Sequence, residues 1–264
     1  MMMRKLCLWV SLIVLGWSSG ASALPVNNPI TDGLLAAWEF SGNADDSSGN
    51  GNDGVVHGAT LTRDRFGNVG SAYSFDGSND HIASSDTFSP QLEGAVSLWF
   101  KAVPAPVGDG ILSSRSNNGY LTGDLIIQFN NPSDLRVYYW NGQPSGSGGN
   151  WQNPIGENNN APPFDVWHHL VFSWDSSVGS SVFLDNIAMG SDSVPAPIFG
   201  DLEIEIGREW NHFFNGSIDD VYIYDRALSP AEVQTLYSAV PEPSTALLLG
   251  LGLAGMAAGR RRIR

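Results

Sequence analysis

Hydrophobic and polar residues alternate in short runs along most of the chain. In residues 135–140 the odd positions carry Leu, Val and Tyr, so Arg136, Tyr138 and Trp140 share the opposite face. Alternation with a period of two residues predicts a β-strand that buries one face. The same period predicts further strands at residues 34–40, 96–101, 169–174, 181–185, 202–207 and 217–224.

One helix is predicted near the carboxyl end of this patterned region. Ser229 precedes Pro230 and lies three residues before Glu232. This spacing is typical of a capping box, with proline at a helical position that needs no amide donor. The helix is expected to end near Ser238.

The composition favours the same fold class. Charged residues make up 15% of the 264 positions, and the chain has 30 Gly, 15 Pro and 9 Trp. Turn pairs such as Asp76-Gly77 and Asn215-Gly216 are expected to separate the strands. Many turns and few charges argue against a helical bundle. About a dozen strands and one short helix predict an all-β fold, a two-sheet antiparallel sandwich in a single domain.

The amino terminus differs from this body. Residues 1–23 contain two basic residues, an apolar run of about 12 residues and small residues that end at Ala23, which is typical of a secretory signal peptide cut after Ala23. A run of this length is shorter than the roughly 20 residues that cross a bilayer. The single cysteine, Cys7, lies in this segment, so the mature domain has no thiol.

The carboxyl terminus carries a second targeting pattern. Pro241, Glu242 and Pro243 precede an apolar segment at 245–258, and four arginines follow it. A short apolar segment before a basic cluster predicts a membrane tail with its arginines in the cytoplasm. The order of these parts resembles the PEP-CTERM sorting signal of Gram-negative bacteria, which a membrane protease of the exosortase type recognises. The resemblance implies export to the cell surface, outer membrane or extracellular matrix, often in cells that make exopolysaccharide.

The net charge limits the class of partner. Loss of both ends removes six of the 13 basic residues and leaves 26 or 27 acidic ones, so the net charge approaches about −20. A field of this sign repels phosphate backbones and anionic headgroups. Nucleic acid is therefore excluded as a partner, and membrane contact is expected only through the tail.

Several separated segments of the body share a further pattern: Gly33–Phe40, Asp46–Asn52, Ala72–Gly77, Val96–Trp99, Trp167–Leu170 and Ile218–Leu228. Together they resemble the laminin G-like, concanavalin A-like jelly roll. The resemblance implies a domain over residues 24–239, between a signal peptide at 1–23 and a sorting signal at 240–264. Members of this group mostly bind glycans or proteins, often with calcium, and the fold also hosts glycosidases and lyases. The fold therefore does not decide the function.

Two acidic segments are candidates for calcium. Asp46 lies in an oxygen-rich loop at residues 43–53. With Asp46 as the first position of an EF-hand, the twelfth position is His57 where an EF-hand has a bidentate Glu. The alternative for Asp46 is a turn residue that accepts hydrogen bonds from backbone amides. In jelly-roll enzymes of the laminarinase type an aspartate on the last strand binds a structural calcium, and this resemblance implies the same role for Asp219. The neighbouring Asp220 is expected to pair with Arg226.

The strongest catalytic pattern is incomplete. Glu203 and Glu205 fall on one face of a predicted strand, as paired carboxylates for glycoside hydrolysis would. Enzymes of the resembled fold carry a third acid on this strand, where this chain has Arg208. We therefore expect no catalytic residues and two solvated glutamates. A glycoside hydrolase or polysaccharide lyase with its acids elsewhere is the alternative.

Aromatic residues suggest a glycan platform. Trp151 lies in a segment rich in Gly, Asn and Pro, next to the outward-facing Tyr138 and Trp140, and Trp210 lies in a second polar segment. Sugar rings stack on indole, and their hydroxyls bond to amides. The alternative is that these rings close the ends of the sandwich.

The sequence thus predicts an exported, surface- or matrix-associated protein without catalytic activity that recognises carbohydrate, with a structural calcium. A protein-binding scaffold of the extracellular matrix is a further alternative. The two neighbouring histidines, His168 and His169, are expected to be structural, with one ring facing inward and the other exposed.

Overall fold

The computed structural model describes residues 28–89, 91–104, 109–114, 124–140, 151–156, 160–193 and 202–239. Within these ranges the chain forms 17 strands and one helix. In chain order these are β1 (Leu34–Trp38), β2 (Gly54–His57), β3 (Thr60–Arg63), β4 (Val69–Asp76), β5 (His81–Phe88), β6 (Glu93–Ala102), β7 (Asp109–Ser114), β8 (Leu125–Asn131), β9 (Asp134–Trp140), β10 (Trp151–Gln152), β11 (His168–Asp175), β12 (Gly179–Leu184), β13 (Ile187–Asp192), β14 (Leu202–Ile206), β15 (Arg208–Glu209), β16 (His212–Phe213), β17 (Asn215–Tyr224) and α1 (Pro230–Ser238).

The strands form two large antiparallel sheets. Sheet A has the order β13-β12-β11-β6-β17-β4-β3, and β1 also pairs with β17. Sheet B has the order β10-β9-β8-β7-β14-β5-β2, and β15 and β16 form a separate two-stranded ribbon. This arrangement confirms the predicted all-β, two-sheet sandwich with one short helix.

The core lies between the inner faces of the two sheets. Leu98 and Ile218 of sheet A pack in the same buried cluster as Ile127 and Ile204 of sheet B. Each such aliphatic side chain contributes about 1.5–3 kcal/mol when it is fully buried. Phe129 also bridges the sheets, since its ring centroid lies 6.0 Å from that of Phe100 on β6. The alternation along each strand thus gives each sheet one apolar face, and the packing of these two faces holds the sandwich together.

Each run of predicted alternation overlaps an observed strand, but one predicted turn is wrong. Asn215 and Gly216 begin β17, and Asn215 pairs with Asp76. A Cβ atom at Gly216 would lie 2.3 Å from the carbonyl oxygen of Lys101. Glycine is needed here because two strands approach closely, and not because the chain reverses.

The predicted helix is confirmed with its cap. The Ser229 backbone amide donates to Glu232 Oε2 at 2.8 Å, and the Ser229 side chain accepts from the Glu232 backbone amide at 3.4 Å. Val233 and Leu236 are buried against Tyr222 and other residues on the outer face of sheet A. The helix therefore covers part of this face.

The targeting segments lie outside the described residues. These include the predicted processing residues Ala23, Pro241, Glu242 and Pro243, so the domain boundaries stay predictions. None of the helical structure in the described part of the chain has the length and apolar character that a bilayer crossing requires.

The neighbouring histidines are both buried, so the expectation of one exposed ring is wrong. His168 Nδ1 lies 2.7 Å from Asp185 Oδ2, and Nε2 lies 3.0 Å from the Pro163 carbonyl oxygen. His169 faces the opposite side of β11, where Nε2 lies 2.8 Å from Ser97 Oγ. Burial and the nearby Arg65 lower the pKa of His169 to about 3, so this ring is neutral.

Replacing the helix cap tests how much α1 contributes to stability. Ser229→Ala removes the bond that the hydroxyl accepts from the Glu232 amide and the one that it donates to Glu232 Oε2 at 2.7 Å. We expect a loss of about 1 kcal/mol, or a decrease in melting temperature of about 2–4 °C. Calorimetry measures both quantities. Thr235→Ala is the control, since its hydroxyl bonds only within the helix, to the Ala231 carbonyl. An equal effect of both substitutions would contradict a specific role of the cap.

The contact between His168 and Asp185 predicts a pH dependence of folding. Burial alone would lower the pKa of His168, but the hydrogen bond and charge of Asp185 raise it above its ordinary value. Burial alone would raise the pKa of Asp185, but the hydrogen bonds from His168 and from the His169 amide lower it below its ordinary value. Because the pKa of His168 is raised, its charge stabilises the fold below the pKa of about 6.5 that histidine has in the unfolded chain. Because the pKa of Asp185 is lowered, its charge stabilises the fold above the unfolded-chain pKa of about 3.9.

We therefore expect the pair to contribute most between about pH 4 and 6.5. Asp185→Asn should reduce the free energy of unfolding by about 1–2 kcal/mol in this window and by less on either side. Urea unfolding of both proteins from pH 3 to 9 measures the difference. The exposed Glu203→Gln is the control. A difference that does not change with pH would show that the pair is not ionic.

Candidate functional site

Strand β9 presents a row of side chains on the outer face of sheet B. Arg136, Tyr138 and Trp140 are half-buried, whereas Val137 and Tyr139 between them are buried in the core. The alternation arises because successive strand residues point to opposite faces. The structure thus places two of the predicted ligand-binding residues, Tyr138 and Trp140, on the same surface.

Arg136 holds this row in a fixed geometry. Its Nε and Nη2 atoms donate to Oδ2 of the fully buried Asp134 at 2.7 and 2.6 Å, and Nη1 donates to the Tyr138 hydroxyl. The hydrogen bond to Asp134 raises the pKa of Arg136 above its usual value. A ring and a guanidinium held in this way lose little side-chain entropy when a ligand binds.

The row continues across sheet B through residues that are register partners. Tyr138 pairs with Ile126 on β8, Ile126 pairs with Ser113 on β7, and Ser113 pairs with Glu205 on β14. On the other side of β9, Trp140 pairs with Trp151, which begins β10. Tyr138, Trp140 and Trp151 therefore belong to one edge of this sheet.

Trp210 lies in the tight turn between β15 and β16. Its side chain is 54% exposed, its backbone has φ 51°, and its carbonyl accepts a hydrogen bond from Arg208 Nε at 2.6 Å. A left-handed conformation is unfavourable for a residue with a Cβ atom by about 1–2 kcal/mol. Such strain is concentrated at functional sites, so an exposed tryptophan held there is a candidate for ligand contact.

The two groups of aromatic residues flank the same part of sheet B. Strand β15 lies against β7, where a Cβ atom on Gly110 would be 2.3 Å from the Glu209 amide nitrogen. Strands β7 and β9 are two strand spacings apart, or about 10 Å. We refer to Tyr138, Trp140 and Trp210 together with Arg136 as the sheet B platform.

A cluster beside the platform was not found from the sequence. Arg208 lies 3.2 Å from Glu205 Oε1 and 3.3 Å from His81 Nε2, and its guanidinium lies over the Phe213 ring at 5.7 Å. The His81 ring stacks on that of His57 at 4.4 Å. These residues come from five strands, and the register of sheet B together with the position of the β15–β16 ribbon brings them together.

The glutamates of β14 differ from the sequence expectation. Glu203 is exposed, but Glu205 is largely buried, and this burial raises its pKa despite the neighbouring Arg208. Arg208 occupies the position of the third acid and forms an ion pair with Glu205. Burial also raises the pKa of Asp109 on β7 to about 6. Asp109 lies four residues from Ser113, the register partner of Glu205, so roughly 10–13 Å of strand separate the two acids.

Asp46 has the role of a turn residue in this structure. Its Oδ1 atom accepts from the Ala37 and Ser48 amides, each at 2.9 Å. Its Oδ2 atom accepts from Ser48 Oγ at 2.8 Å and from the Asn52 amide at 2.9 Å. Four donors fill the lone pairs of both oxygens, so a cation would have to displace protein donors. Calcium at Asp46 stays a prediction that this geometry does not support.

Asp219 and Asp220 share a cation from another segment of the chain. Arg65 Nη1 lies 2.9 Å from Asp219 Oδ2 and 2.6 Å from Asp220 Oδ2. The predicted pairing of Asp220 with Arg226 is wrong, since Arg226 instead contacts Glu232 of α1 at 2.6 Å. The reason is a β-bulge between Asp219 and Tyr222, which turns both aspartates toward Arg65.

The residues present do not fit a calcium ion at Asp219 as they are placed. Calcium takes six to eight oxygen ligands, whereas the guanidinium of Arg65 already contacts one carboxylate oxygen of each aspartate. Within the part of the chain that the structure describes, no group of three or more His, Cys, Asp or Glu residues is arranged to hold a metal ion. Calcium at Asp219 therefore remains an expectation from resemblance alone.

Comparisons with known proteins agree with this fold. The profile of the concanavalin A-like lectin/glucanases superfamily matches residues 76–234, and the PEP-CTERM protein-sorting motif matches residues 239–262. The adhesion G-protein coupled receptor D1 of Homo sapiens is 29% identical over 86 residues, which cover 30% of this chain and 10% of the receptor. The chain thus spans about a tenth of the length of the curated relatives that it matches.

Two solved structures illustrate the likeness in three dimensions. Domain 4 of an extracellular GH43 arabinanase from Geobacillus stearothermophilus, solved in complex with arabinotriose, has a TM-score of 0.61 at 22% identity and covers 78% of this chain and 98% of that one. The botulinum neurotoxin serotype G binding domain has a TM-score of 0.59 at 13% identity, and the match covers 77% of this chain and 50% of the toxin chain. At these identities the likeness concerns the fold alone.

The superfamily profile covers more than half of the sequence, and the observed two-sheet sandwich agrees with it. The sorting motif begins at residue 239, directly after α1. This chain therefore belongs to the concanavalin A-like lectin/glucanases superfamily and carries a PEP-CTERM sorting motif at its carboxyl end.

Proposed function

We propose that this protein is an exported, surface- or matrix-associated carbohydrate-binding protein that holds its ligand on the sheet B platform. Two likenesses support the proposal. The sorting motif implies processing by an exosortase-type protease. The arabinanase domain, which is similar in fold, was solved with a bound oligosaccharide, and the similar toxin domain is a binding domain.

The proposal rests on one observation: the fixed row of side chains on β9 and the exposed Trp210 flank the same part of sheet B. Sugar rings stack their C–H faces on aromatic rings, and their hydroxyls bond to fixed polar groups. Tyr138 and Trp140 supply the rings, and Arg136 supplies donors beside them. Gln128, the register partner of Arg136, adds a half-buried amide. Trp210, which is separated from the β9 row by β8 and β7, would contact a second sugar of the same polysaccharide.

The opposite face of the sandwich is a weaker candidate because it is covered. Helix α1 packs on the outer face of sheet A through Val233 and Leu236. Next to the helix, the Trp99 ring stacks on both Tyr237 and His169, at centroid distances of 5.7 and 5.0 Å, and those two rings lie 6.0 Å from each other. A ligand there would first have to displace packed side chains.

The arrangement of the acids supports binding without catalysis. Retaining glycosidases use two carboxyl groups about 5–5.5 Å apart, and inverting enzymes use groups about 6.5–9.5 Å apart. Glu205 is paired with Arg208, and roughly 10–13 Å of strand separate Asp109 from its position. These two acids therefore do not form the pair that bond cleavage needs.

The charge of the protein supports a neutral polysaccharide as the ligand. The formal net charge of the whole chain is −14, and loss of the basic ends makes it more negative. Strongly anionic polymers would be repelled by this field. A neutral exopolysaccharide of the producing cell's own matrix meets this constraint, and stacking on Tyr138 and Trp140 needs no calcium.

Loss of single rings tests the platform. A glycan array with the purified protein should identify the ligand, and arabinotriose is included as a defined probe. Trp140→Ala and Trp210→Ala should each weaken binding about five- to thirtyfold, since a stacked ring contributes on the order of 1–2 kcal/mol. Titration calorimetry measures the affinity. The control is Trp167→Ala, a half-buried tryptophan that contacts Lys101 of sheet A at 5.4 Å.

Three outcomes would contradict this proposal. Unchanged affinity in both platform variants would remove these residues from the binding site. New reducing ends or unsaturated sugars after incubation with a polysaccharide panel would establish an enzyme. An array without hits, together with co-purified protein partners, would favour a protein-binding scaffold.

A further inference from the structure

Arg65 is held more tightly than any role in solubility requires. It lies in the loop between β3 and β4, and its side chain is 8% exposed. The guanidinium is sandwiched between two rings, 4.4 Å from the Phe66 centroid and 4.6 Å from the Trp99 centroid. Planar guanidinium groups stack on aromatic rings in a way that ammonium groups do not. The guanidinium is therefore held on its two faces by the rings and at its end by Asp219 and Asp220.

The two carboxylates at the end of Arg65 need a cation. Asp219 is 2% exposed and Asp220 is 7% exposed, and they are adjacent in the chain. Burial raises the pKa of both carboxyl groups, and the charge of Arg65 opposes this effect. Two buried like charges repel each other and have lost their hydration, so folding with both ionised requires a positive partner.

The surrounding pocket is lined mainly by oxygen atoms. It opens to solvent, has a cavity volume of about 50 Å³, and is also lined by Glu39, Asp64, Asn68 and two serines. Asp64 is occupied in the loop, where its Oδ1 accepts from the Phe66 and Asn68 amides at 2.9 and 2.8 Å. Among the described residues that line the pocket, Arg65 is the only cation.

We propose that Arg65 takes the place of a metal ion in this pocket, so that the fold is independent of calcium. The guanidinium joins the β3–β4 loop to the bulge of β17, as a bridging metal ion would. It also reaches the Ala239 carbonyl oxygen through Nη2 at 3.5 Å. Because this cation is covalently part of the chain, chelators cannot remove it. Removal of the side chain leaves an anionic pocket that a hard divalent cation can enter.

The test compares melting temperatures with EDTA and with calcium chloride at about 10 mM, roughly ten times a millimolar dissociation constant. The wild-type protein should melt at the same temperature in both. Arg65→Ala should melt about 5–15 °C lower, because it leaves two buried carboxylates without a cationic partner. Calcium should raise the melting temperature of this variant by about 3–5 °C, as expected for a site with a millimolar dissociation constant.

Two further variants serve as controls. Arg63→Ala removes an arginine two positions away that bonds only the Gly67 carbonyl among its described contacts, at 2.7 Å, and should have little effect. Arg65→Ala combined with Asp219→Asn and Asp220→Asn removes the buried charges, so it should recover part of the stability and lose the response to calcium. Asparagine also tolerates the left-handed φ of 45° at Asp220.

Each opposite result would overturn the proposal. A lower wild-type melting temperature in EDTA would show that a metal ion binds while Arg65 is present. An Arg65→Ala variant as stable as Arg63→Ala, or one that does not respond to calcium, would show that the guanidinium does not act as the cation of the pocket. Should Arg65→Ala fail to fold, the wild-type chelator result and the triple variant still decide between these outcomes.

Discussion

The fold depends on the pairing of its last strand in the middle of sheet A. Strand β17 pairs with β6 along one side, and with β4 and then β1 along the other. It therefore joins the first strand of the chain to strands from its middle. Because these contacts are far apart in sequence, sheet A cannot be completed before residues 215–224 are available. A chain exported from its amino terminus would fold only after this strand has emerged.

The bulge in β17 concentrates charge at the same place. An extra residue turns two adjacent acids to the outer face, and one arginine from a distant loop holds both. Around this centre, α1 and the stacked rings of Trp99 and Tyr237 cover the outer face of sheet A. Sheet B carries its polar and aromatic residues outward without such a helix among the described residues. The covered outer face of sheet A thus stabilises the fold, whereas the proposed ligand binds on the open outer face of sheet B.

The sequence predicts the strands and the helix well because both depend on local chemistry. A period of two residues is set by the pleat of a strand, and the Ser229–Glu232 cap is set by neighbouring residues. The ribbon of β15 and β16 cannot be predicted in this way, since strands of two residues have no period to detect. The predicted turn at Asn215 failed for a related reason, because glycine also allows close packing of strands.

Partners that are distant in sequence explain the other differences. Arg65 lies 154 positions before Asp219, and no local pattern connects them. The resemblance to calcium-binding relatives identified the aspartate but not the arginine that contacts it. Similarly, Tyr138 and Trp140 could be assigned to an outer face from their alternation, whereas the approach of the β15–β16 ribbon to β7 follows only from the register of sheet B.

The position of α1 determines how tension on the tail would reach the domain. Ala239 follows the helix and is also the first residue of the sorting motif. A pull from the tail would first act on its contact with Arg65, and then on the stack of Tyr237 with Trp99. Such a force peels a helix of nine residues away from the surface before any strand is loaded in shear. The helix would thus yield first, before the force reaches β17 and the rest of the sandwich.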